Sequence, residues 1–501
     1  MDDVVIVGGG PNGLMLACEL ALGGVRAVVL ERLTGPSKDP KSNGLVGQVV
    51  RMVDRRGLFE RLGGRPVPPV PNRAYFMFAA FPLDLGLLDD SPVYNLAVPE
   101  VKTVQVLEDR ARELGVDLRR GHEFVGFAQD DGGVTVTVRG DKTYELRARY
   151  LVGADGGHSP VRKAAGIAFP GITHNRMTSR HAHAAVPEEW LDPASGALKV
   201  PGFGAVRPFL PVRTDHGGFT YATLPGRPPL IATTEWDEPE NSEPMTLDEM
   251  RASINRVLGA DVPIGPPPGA GPHVLRRLQG GNTRVAERYR DGRVFLVGDA
   301  AHVFVAGGTG LNLGMQDAIN LGWKLAAAIN GGKDVLDTYE AERQPLAHRT
   351  VMFAQAQSAL LAPGTEVTGL RQLFGELLTH RDTVRTIADL VAGADVRYPV
   401  GDGAHPRAGW PAPDLDLRTP DGTVRLAELV RDAKPLLIDL TEGGDLTAEG
   451  IDTVRATADT ELTALLLRPD SYVAWASTDP RPDPEGLRQA VNEWFGIAVS
   501  A

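Results

Sequence analysis

The chain opens with a short apolar, β-branched run, Val4 to Val7, that stops at Gly8-Gly9-Gly10-Pro11-Asn12-Gly13. Such a run, bounded by glycines, predicts a strand buried on both faces. Leu14 to Leu22 is rich in helix formers and is closed by Gly23-Gly24, which predicts a helix. Arg26 to Leu30 then reads as a second strand ending at Glu31, completing a βαβ unit.

Further along, Pro66 to Pro99 is proline-rich and predicts irregular chain, Thr103 to Leu114 carries helical spacing, and Val134 to Val138 alternates like a half-buried strand. Tyr150 to Gly153 is another short strand. Between Gly171 and Gly280, aromatic and β-branched runs at Phe203 to Val212, Phe219 to Leu224 and Leu230 to Trp236 predict an inserted antiparallel sheet. Val294 to Val297 returns to a buried strand, and Leu311 to Ile329 to a long helix ending at Gly331-Gly332. After Val391 the composition shifts to glycine and proline, and Val424 to Leu440 with Ser471 to Ala476 predicts a small α/β unit.

Composition narrows the function. At 501 residues the chain has length for about three domains. Acidic residues outnumber basic ones, 64 to 52, the wrong sign for a protein that neutralises phosphates, so no nucleic-acid partner is expected. Met1-Asp2-Asp3 lacks the positive region of a signal peptide, and no apolar run approaches the roughly 18 residues of a membrane span. A soluble, cytoplasmic protein is expected. Cys18 is the one cysteine, which excludes an internal disulfide, a Cys-x-x-Cys pair and a thiolate zinc site, so redox work would need a bound cofactor.

The glycine run supplies a candidate site for one. Gly8 allows the turn off the strand, Gly10 lets backbone approach a pyrophosphate, and Gly13 permits close helix packing. Pro11 and Asn12 complete the loop, whose helix N-terminus offers N–H groups to an anion. Glu31, 18 residues after Gly13, is placed to accept hydrogen bonds from an adenosine ribose, with Arg32 beside it. A carboxylate there disfavours a 2′-phosphate, leaving FAD or NAD.

A second signal, Gly298-Asp299-Ala300-Ala301-His302, precedes Gly307-Gly308-Thr309-Gly310-Leu311-Asn312, and a third stands at Val152-Gly153-Ala154-Asp155-Gly156-Gly157-His158-Ser159-Pro160-Val161-Arg162. Together the three stretches resemble the FAD-dependent aromatic hydroxylases of the para-hydroxybenzoate hydroxylase type, in particular the polyketide-tailoring branch, over about residues 1–350. The resemblance implies an α/β fold. A Rossmann-like FAD-binding domain of the glutathione-reductase type covers 1–170 and 281–390, an inserted antiparallel substrate-binding sheet covers 171–280 and receives about 66–100, and a thioredoxin-like domain covers 391–501. That last domain contains no cysteine, so thiol exchange is excluded there.

The resemblance further implies FAD reduced by NADPH or NADH without a second Rossmann domain, and a flavin C4a-peroxy species that oxygenates a polycyclic aromatic polyketide. O2 is the other substrate, and a monomer and a homodimer stay equally open. Asp299 is placed to accept hydrogen bonds from the ribityl chain. Gly308, Gly310, Leu311 and Asn312 open a helix whose positive end can face the flavin pyrimidine ring. Asp155 is expected near FAD and the nicotinamide donor; for Arg162, cofactor contact and an ordinary salt bridge both stay open. His158, His174 and His302 lack metal-ligand spacing, so no metal site is expected.

Departures from the family pattern bear on the oxygen chemistry. The stretch Val303-Phe304-Val305-Ala306 has no proline and is one residue short. Gln48 stands where an arginine is expected, Glu100 where a glutamine is expected near the ribityl chain, and Arg51 where an acidic residue is common. Arg51 is the candidate catalytic residue: a cation near the reacting position favours the anionic peroxide of Baeyer-Villiger oxygen insertion, the runner-up to ring hydroxylation. A surface salt bridge is its other reading. A non-catalytic FAD-fold binding protein and a flavin dehydrogenase or oxidase are the alternatives from other classes.

Overall fold

The computed structural model describes residues 2–37, 42–223, 227–305 and 310–496. At its centre lie parallel strands in the spatial order Val294–Leu296, Thr143–Gly153, Asp2–Val7, Ala27–Glu31 and Asp117–Arg120. Val4 sits between Tyr150 and Ala27, and Val4, Val5 and Ile6 are fully buried, as a strand covered on both faces requires. The long strand Thr143–Gly153 belongs to two arrangements. Its second half lies in the parallel sheet, and its first half pairs antiparallel with Gly133–Arg139, which pairs in turn with Glu123–Asp130.

The predicted βαβ opening is present, with the helix starting at the proline, Pro11–Leu22. The predicted helices at Thr103 and Leu311 run Glu100–Glu113 and Gly310–Ile329. Within the proline-rich stretch, Tyr75–Phe78 and Phe81–Asp84 form a hairpin, and Asn95–Ala97 pairs with Gly44–Val46.

A second, antiparallel sheet has the order Val212–Thr214, Gly217–Ala222, Leu230–Trp236, Met177–His183 and Leu275–Gln279. Helix Leu247–Leu258 covers one face, packing Met250, Ile254 and Val257 on Phe219, Tyr221 and Ile231. The single strand expected over Phe203 to Val212 is broken into Gly204–Val206 and Val212–Thr214. Pro208 and Pro211 have no N–H for a ladder, and Phe209 turns at φ +61°. Leu224, the expected end of the next strand, lies outside the described residues.

The C-terminal segment builds a sheet in the order Asp452–Arg455, Leu436–Asp439, Ala464–Leu467 and Val473–Ser477, the first pair parallel and the other two antiparallel, followed by helix Pro484–Phe495. Charged side chains fasten it to the rest. Arg468 holds Glu342 of helix Asp337–Leu361 through two bonds of 2.6 and 2.8 Å, Trp323 donates its indole N–H to Asp470 at 3.1 Å, and Arg56 donates to the carbonyls of Val430 and Pro469 while paired with Glu19. Cys18 is buried, and burial pushes its thiol up to about 12, which makes it inert. Among the described residues no helix is long and apolar enough to cross a membrane.

Candidate cofactor site

Gly8 leaves the first strand at φ +113°, and a Cβ there would lie 2.3 Å from the carbonyl oxygen of Ala154. A Cβ on Gly13 would lie 2.0 Å from the carbonyl oxygen of Gly8, so both positions are closed to any side chain. At Gly10 the same test meets nothing within 4 Å, which leaves one open side on the loop. The helix begins with Gly10 as N-cap and Pro11 at its first position, without a side-chain cap. The amides of Asn12 and Gly13, second and third in the helix, therefore have no intrahelical acceptor and point out of its N-terminus. Glu31, at the end of the neighbouring strand, accepts the N–H of Gly9 at 2.8 Å on one oxygen and that of Leu33 at 2.8 Å on the other. Arg32 next to it is exposed.

Two distant segments close on this loop. The side chain of Asn12 is wedged between Gly298 of the second motif and Gly314 of helix Gly310–Ile329: a Cβ on Gly298 or Gly314 would lie 2.0 or 2.4 Å from its Nδ2, and its buried Oδ1 has no partner among the described residues. Asp155 follows the central strand and accepts the N–H of Val161 at 3.0 Å. Burial raises its carboxyl above the ordinary range against the pull of Ser159, the local amides and Arg162, and its Oδ1 is buried without a partner. Arg162 joins the motifs, donating to the carbonyls of Ala300 at 2.8 Å and Gly157 at 3.0 Å, with its guanidinium 3.7 Å from the Phe169 ring centre. Beside it opens a cavity of about 500 Å³ lined by Gly157, His158, Arg162, Asn282 and Arg284.

Asp299 is exposed in the turn Gly298–Ala300 after the strand Val294–Leu296, and its Oδ1 is 3.7 Å from where a Cβ on Gly310 would stand. Asn312 accepts the N–H of Val46 at 3.0 Å, which ties the start of helix Gly310–Ile329 to the strand Gly44–Val46. Behind the turn, His302 Nε2 lies 2.6 Å from Asp317 Oδ2, Arg343 donates to Asp317 Oδ1 at 2.7 Å, and Arg343 also donates to the Tyr398 hydroxyl at 3.0 Å. Burial opposes ionisation of Asp317, but Arg343 and His302 outweigh it and hold the carboxyl below its ordinary value.

Comparison with known proteins agrees with this geometry. A family model described as "FAD binding domain" matches residues 1–354, and one described as "Aromatic-ring hydroxylase, C-terminal" matches residues 405–498. The chain is 41% identical to a 12-dehydrotetracycline 5-monooxygenase/anhydrotetracycline 6-monooxygenase of Streptomyces rimosus, over 99% of both chains. The chain belongs to the FAD-dependent aromatic-ring hydroxylases. It is 37% identical to a rifampicin monooxygenase of Streptomyces venezuelae over the full length of both. The solved structure of the OxyS anhydrotetracycline hydroxylase from Streptomyces rimosus superposes with a TM-score of 0.84 at 39% identity, over 99% of each chain. The protein is accordingly a flavoprotein monooxygenase.

The residues of this hydroxylase fit FAD. An open Gly10 edge, an uncapped helix N-terminus and a carboxylate at the end of the adjacent strand form a cradle for a dinucleotide, with the Asp299 turn further along the same side of the sheet. Gln48 opens helix Gln48–Arg55, buried at 4% exposure, and Glu100 opens Glu100–Glu113 and accepts the N–H of Ser42 at 3.2 Å. Gly308 lies outside the described residues. Among the described residues no group of His, Cys, Asp and Glu is placed to hold a metal ion.

Of the two readings open for Arg51, a cation near the reacting position and a salt bridge, its contacts match the salt bridge. It makes a two-pronged ion pair with Asp414 and also donates to Gln48 Oε1 at 3.0 Å and to the Ala412 carbonyl at 2.9 Å. Its charge is spent on the C-terminal segment, across a cleft of about 210 Å³ that includes Asp54, Tyr94 and Arg425. Sequence reasoning also missed the buried polar seam. Asp317, Asn320 and Lys324, at i, i+3 and i+7 of a largely apolar helix, were a visible signal for it, since that spacing puts all three on one face.

Proposed function

We propose that this hydroxylase adds oxygen to a ring of a polycyclic aromatic polyketide, consuming NADPH or NADH and O2. The observation that carries the reading is the meeting of three segments, around Gly10, Asp155 and Asp299, on one side of the parallel sheet, in a chain similar over its whole length to monooxygenases named for tetracyclines and rifampicin. When bound, FAD supplies the hydride acceptor and the site of O2 activation.

In this reading Gly8, Gly10, Pro11, Asn12 and Gly13 hold the pyrophosphate, Glu31 with Arg32 the adenosine ribose, and Gln48, Glu100 and Asp299 the ribityl side. Gly310, Leu311 and Asn312 present the N-terminus of a 20-residue helix to the pyrimidine edge, where its dipole stabilises negative charge without reorganising. The cavity flanked by Arg162 and Arg284 suits the anionic part of the nicotinamide donor. The commitment of Arg51 to Asp414 favours ring hydroxylation over Baeyer-Villiger insertion, because that pair leaves no free cation at Arg51 to stabilise an anionic peroxide.

The division into 1–170 with 281–390, 171–280 and 391–501 is supported by separate sheets and separate buried clusters. A thioredoxin-like reading of the last unit is supported by its sheet, in which a parallel pair is extended by two antiparallel strands and then a helix. The single, buried Cys18 suits a reducing cytoplasm.

The test is spectroscopic. Purified protein supplied with FAD becomes yellow and retains the flavin on dialysis, and anhydrotetracycline accelerates its oxidation of NADPH or NADH. A colourless protein that rejects added FAD contradicts the reading.

A further inference from the structure

The five-stranded antiparallel sheet has two unlike faces. Beneath helix Leu247–Leu258, Arg180, Ala182, Phe219, Tyr221, Ile231 and Glu235 are each at most 5% exposed. Alternation puts their neighbours on the opposite face, where Ser179, His181, Thr220, Ala232, Thr234 and Arg276 are all only partly buried. The register sets His181 directly across from Ala232 on one side and Arg276 on the other. Directly opposed residues of an antiparallel pair share a face, so the imidazole and the guanidinium stand side by side.

Charges on the covered side are matched. Arg180 pairs with Glu235 and Glu249, and Arg277, adjacent to Arg276 in sequence, pairs with Glu249 at 2.7 Å. Arg276 has no acidic partner among the described residues, and its Nε is buried with no hydrogen-bond acceptor. A partly desolvated cation without an acceptor is costly unless a ligand supplies the anion. His181 adds no second charge: burial, helped by Arg276, pushes its imidazole down to about 4, so at neutral pH it is a neutral hydrogen-bonding group. Around the pair the face offers the hydroxyls of Ser179, Thr220 and Thr234 with the apolar Ala232 and Leu278, a surface suited to a flat, oxygen-rich ring system.

The sheet is also tied to the cofactor motif. The strand bearing His181 follows Gly171–Thr173, which pairs with Asn282–Val285, and that strand pairs with His302–Val303 immediately after the Gly298–Ala301 turn.

We propose that Arg276, with His181 beside it, anchors an ionised oxygen of the substrate, a phenolate or enolate on the polycyclic ring system. This rests on the monooxygenase reading and names its substrate class more closely: a polyketide bound through an acidic ring oxygen. The ionised form is also the more electron-rich ring, the form that electrophilic oxygen transfer needs. Arg276 is thus a specificity-determining residue rather than part of the flavin cradle.

Binding to the oxidised, FAD-loaded protein without NADPH tests it. Two probes are titrated by fluorescence, anhydrotetracycline and an O-methylated derivative that has lost the acidic oxygens. Arg276→Met raises the Kd for anhydrotetracycline about tenfold or more and that for the methylated probe by less than about twofold, whereas Arg276→Lys stays within about threefold of the parent for both. His181→Ala gives a smaller rise for anhydrotetracycline, about threefold. FAD occupancy and Tm of each variant are measured alongside, and unchanged values assign the effect to the anchor. Equal changes for both probes, or none, in a protein that still binds and hydroxylates anhydrotetracycline would overturn the anchor alone. A parent protein that holds FAD but binds neither probe overturns the substrate reading and the anchor together.

Discussion

Arg51 Nε donates to Asp414 Oδ2 at 3.0 Å while its Nη2 lies 2.8 Å from Oδ1, so a helix of the FAD-binding half is locked to the start of the C-terminal segment. Arg55, buried one turn further on, reaches the same carboxylate at 3.5 Å and the Ala412 carbonyl at 2.6 Å. Partial desolvation disfavours the charged form of Asp414, yet the two guanidiniums outweigh it and hold the carboxyl below its ordinary range.

Arg51 should therefore behave as a fastener. Arg51→Ala is expected to lower unfolding stability by about 1 kcal/mol, since Asp414 is 54% exposed and solvent screens the pair. A double-mutant cycle with Asp414→Ala should show coupling of similar size, about 1 kcal/mol, in urea unfolding. Loss of oxygenation with stability and coupling unchanged would instead put the guanidinium at the reacting atoms.

Gly10 and Gly13 separate ligand from fold. Gly10→Ala meets nothing within 4 Å, so the apoprotein should unfold like the parent while FAD affinity falls about tenfold or more, because the added methyl occupies the open edge of the loop. Gly13→Ala drives a methyl to 2.0 Å from the Gly8 carbonyl oxygen and should destabilise the apoprotein itself. Dialysis followed by flavin absorbance and thermal melts distinguishes the two.

Much of this architecture was legible in the sequence, and the reason is local. Val4 to Val7, the glycine loop and Glu31 lie within one βαβ unit, where spacing alone dictates geometry. The strand expected over Phe203 to Val212 failed because Pro208 and Pro211 interrupt the ladder despite an apolar composition. The partner of Arg51 was not legible, because Asp414 is 363 residues away and no periodicity links them. The seam of Asp317, Asn320 and Lys324 was passed over for a related reason: on a lone helix a polar stripe reads as a solvent face, and Arg343, Glu342, Arg468 and Asp470 bury it only in the assembled fold.

Glu342 gives that seam a pH signature. Burial opposes its charge, but Arg468 and Lys324 hold its carboxyl down to about 2 from an ordinary 4.5. A folded value below the unfolded one contributes stability that is complete above about 4.5 and is lost as pH falls toward 2. Glu342→Gln should cost roughly 3–5 kcal/mol at pH 7, and its deficit against the parent should shrink as the pH is lowered through that window, where protonated glutamate comes to resemble glutamine. Lys324 has the same sign in a higher pH window. Burial pushes it down to about 7 against the pull of Glu342, so its contribution favours the fold increasingly as pH rises above that value. Chemical denaturation across pH reads both.

The most direct measurement follows the oxygen itself. FAD-loaded protein is supplied with NADPH, anhydrotetracycline and isotopically labelled dioxygen, and the product is analysed by mass spectrometry and NMR. The account predicts one labelled oxygen atom, carried as a new hydroxyl on a ring carbon. Product without label, or label found in a lactone instead of a hydroxyl, would contradict it.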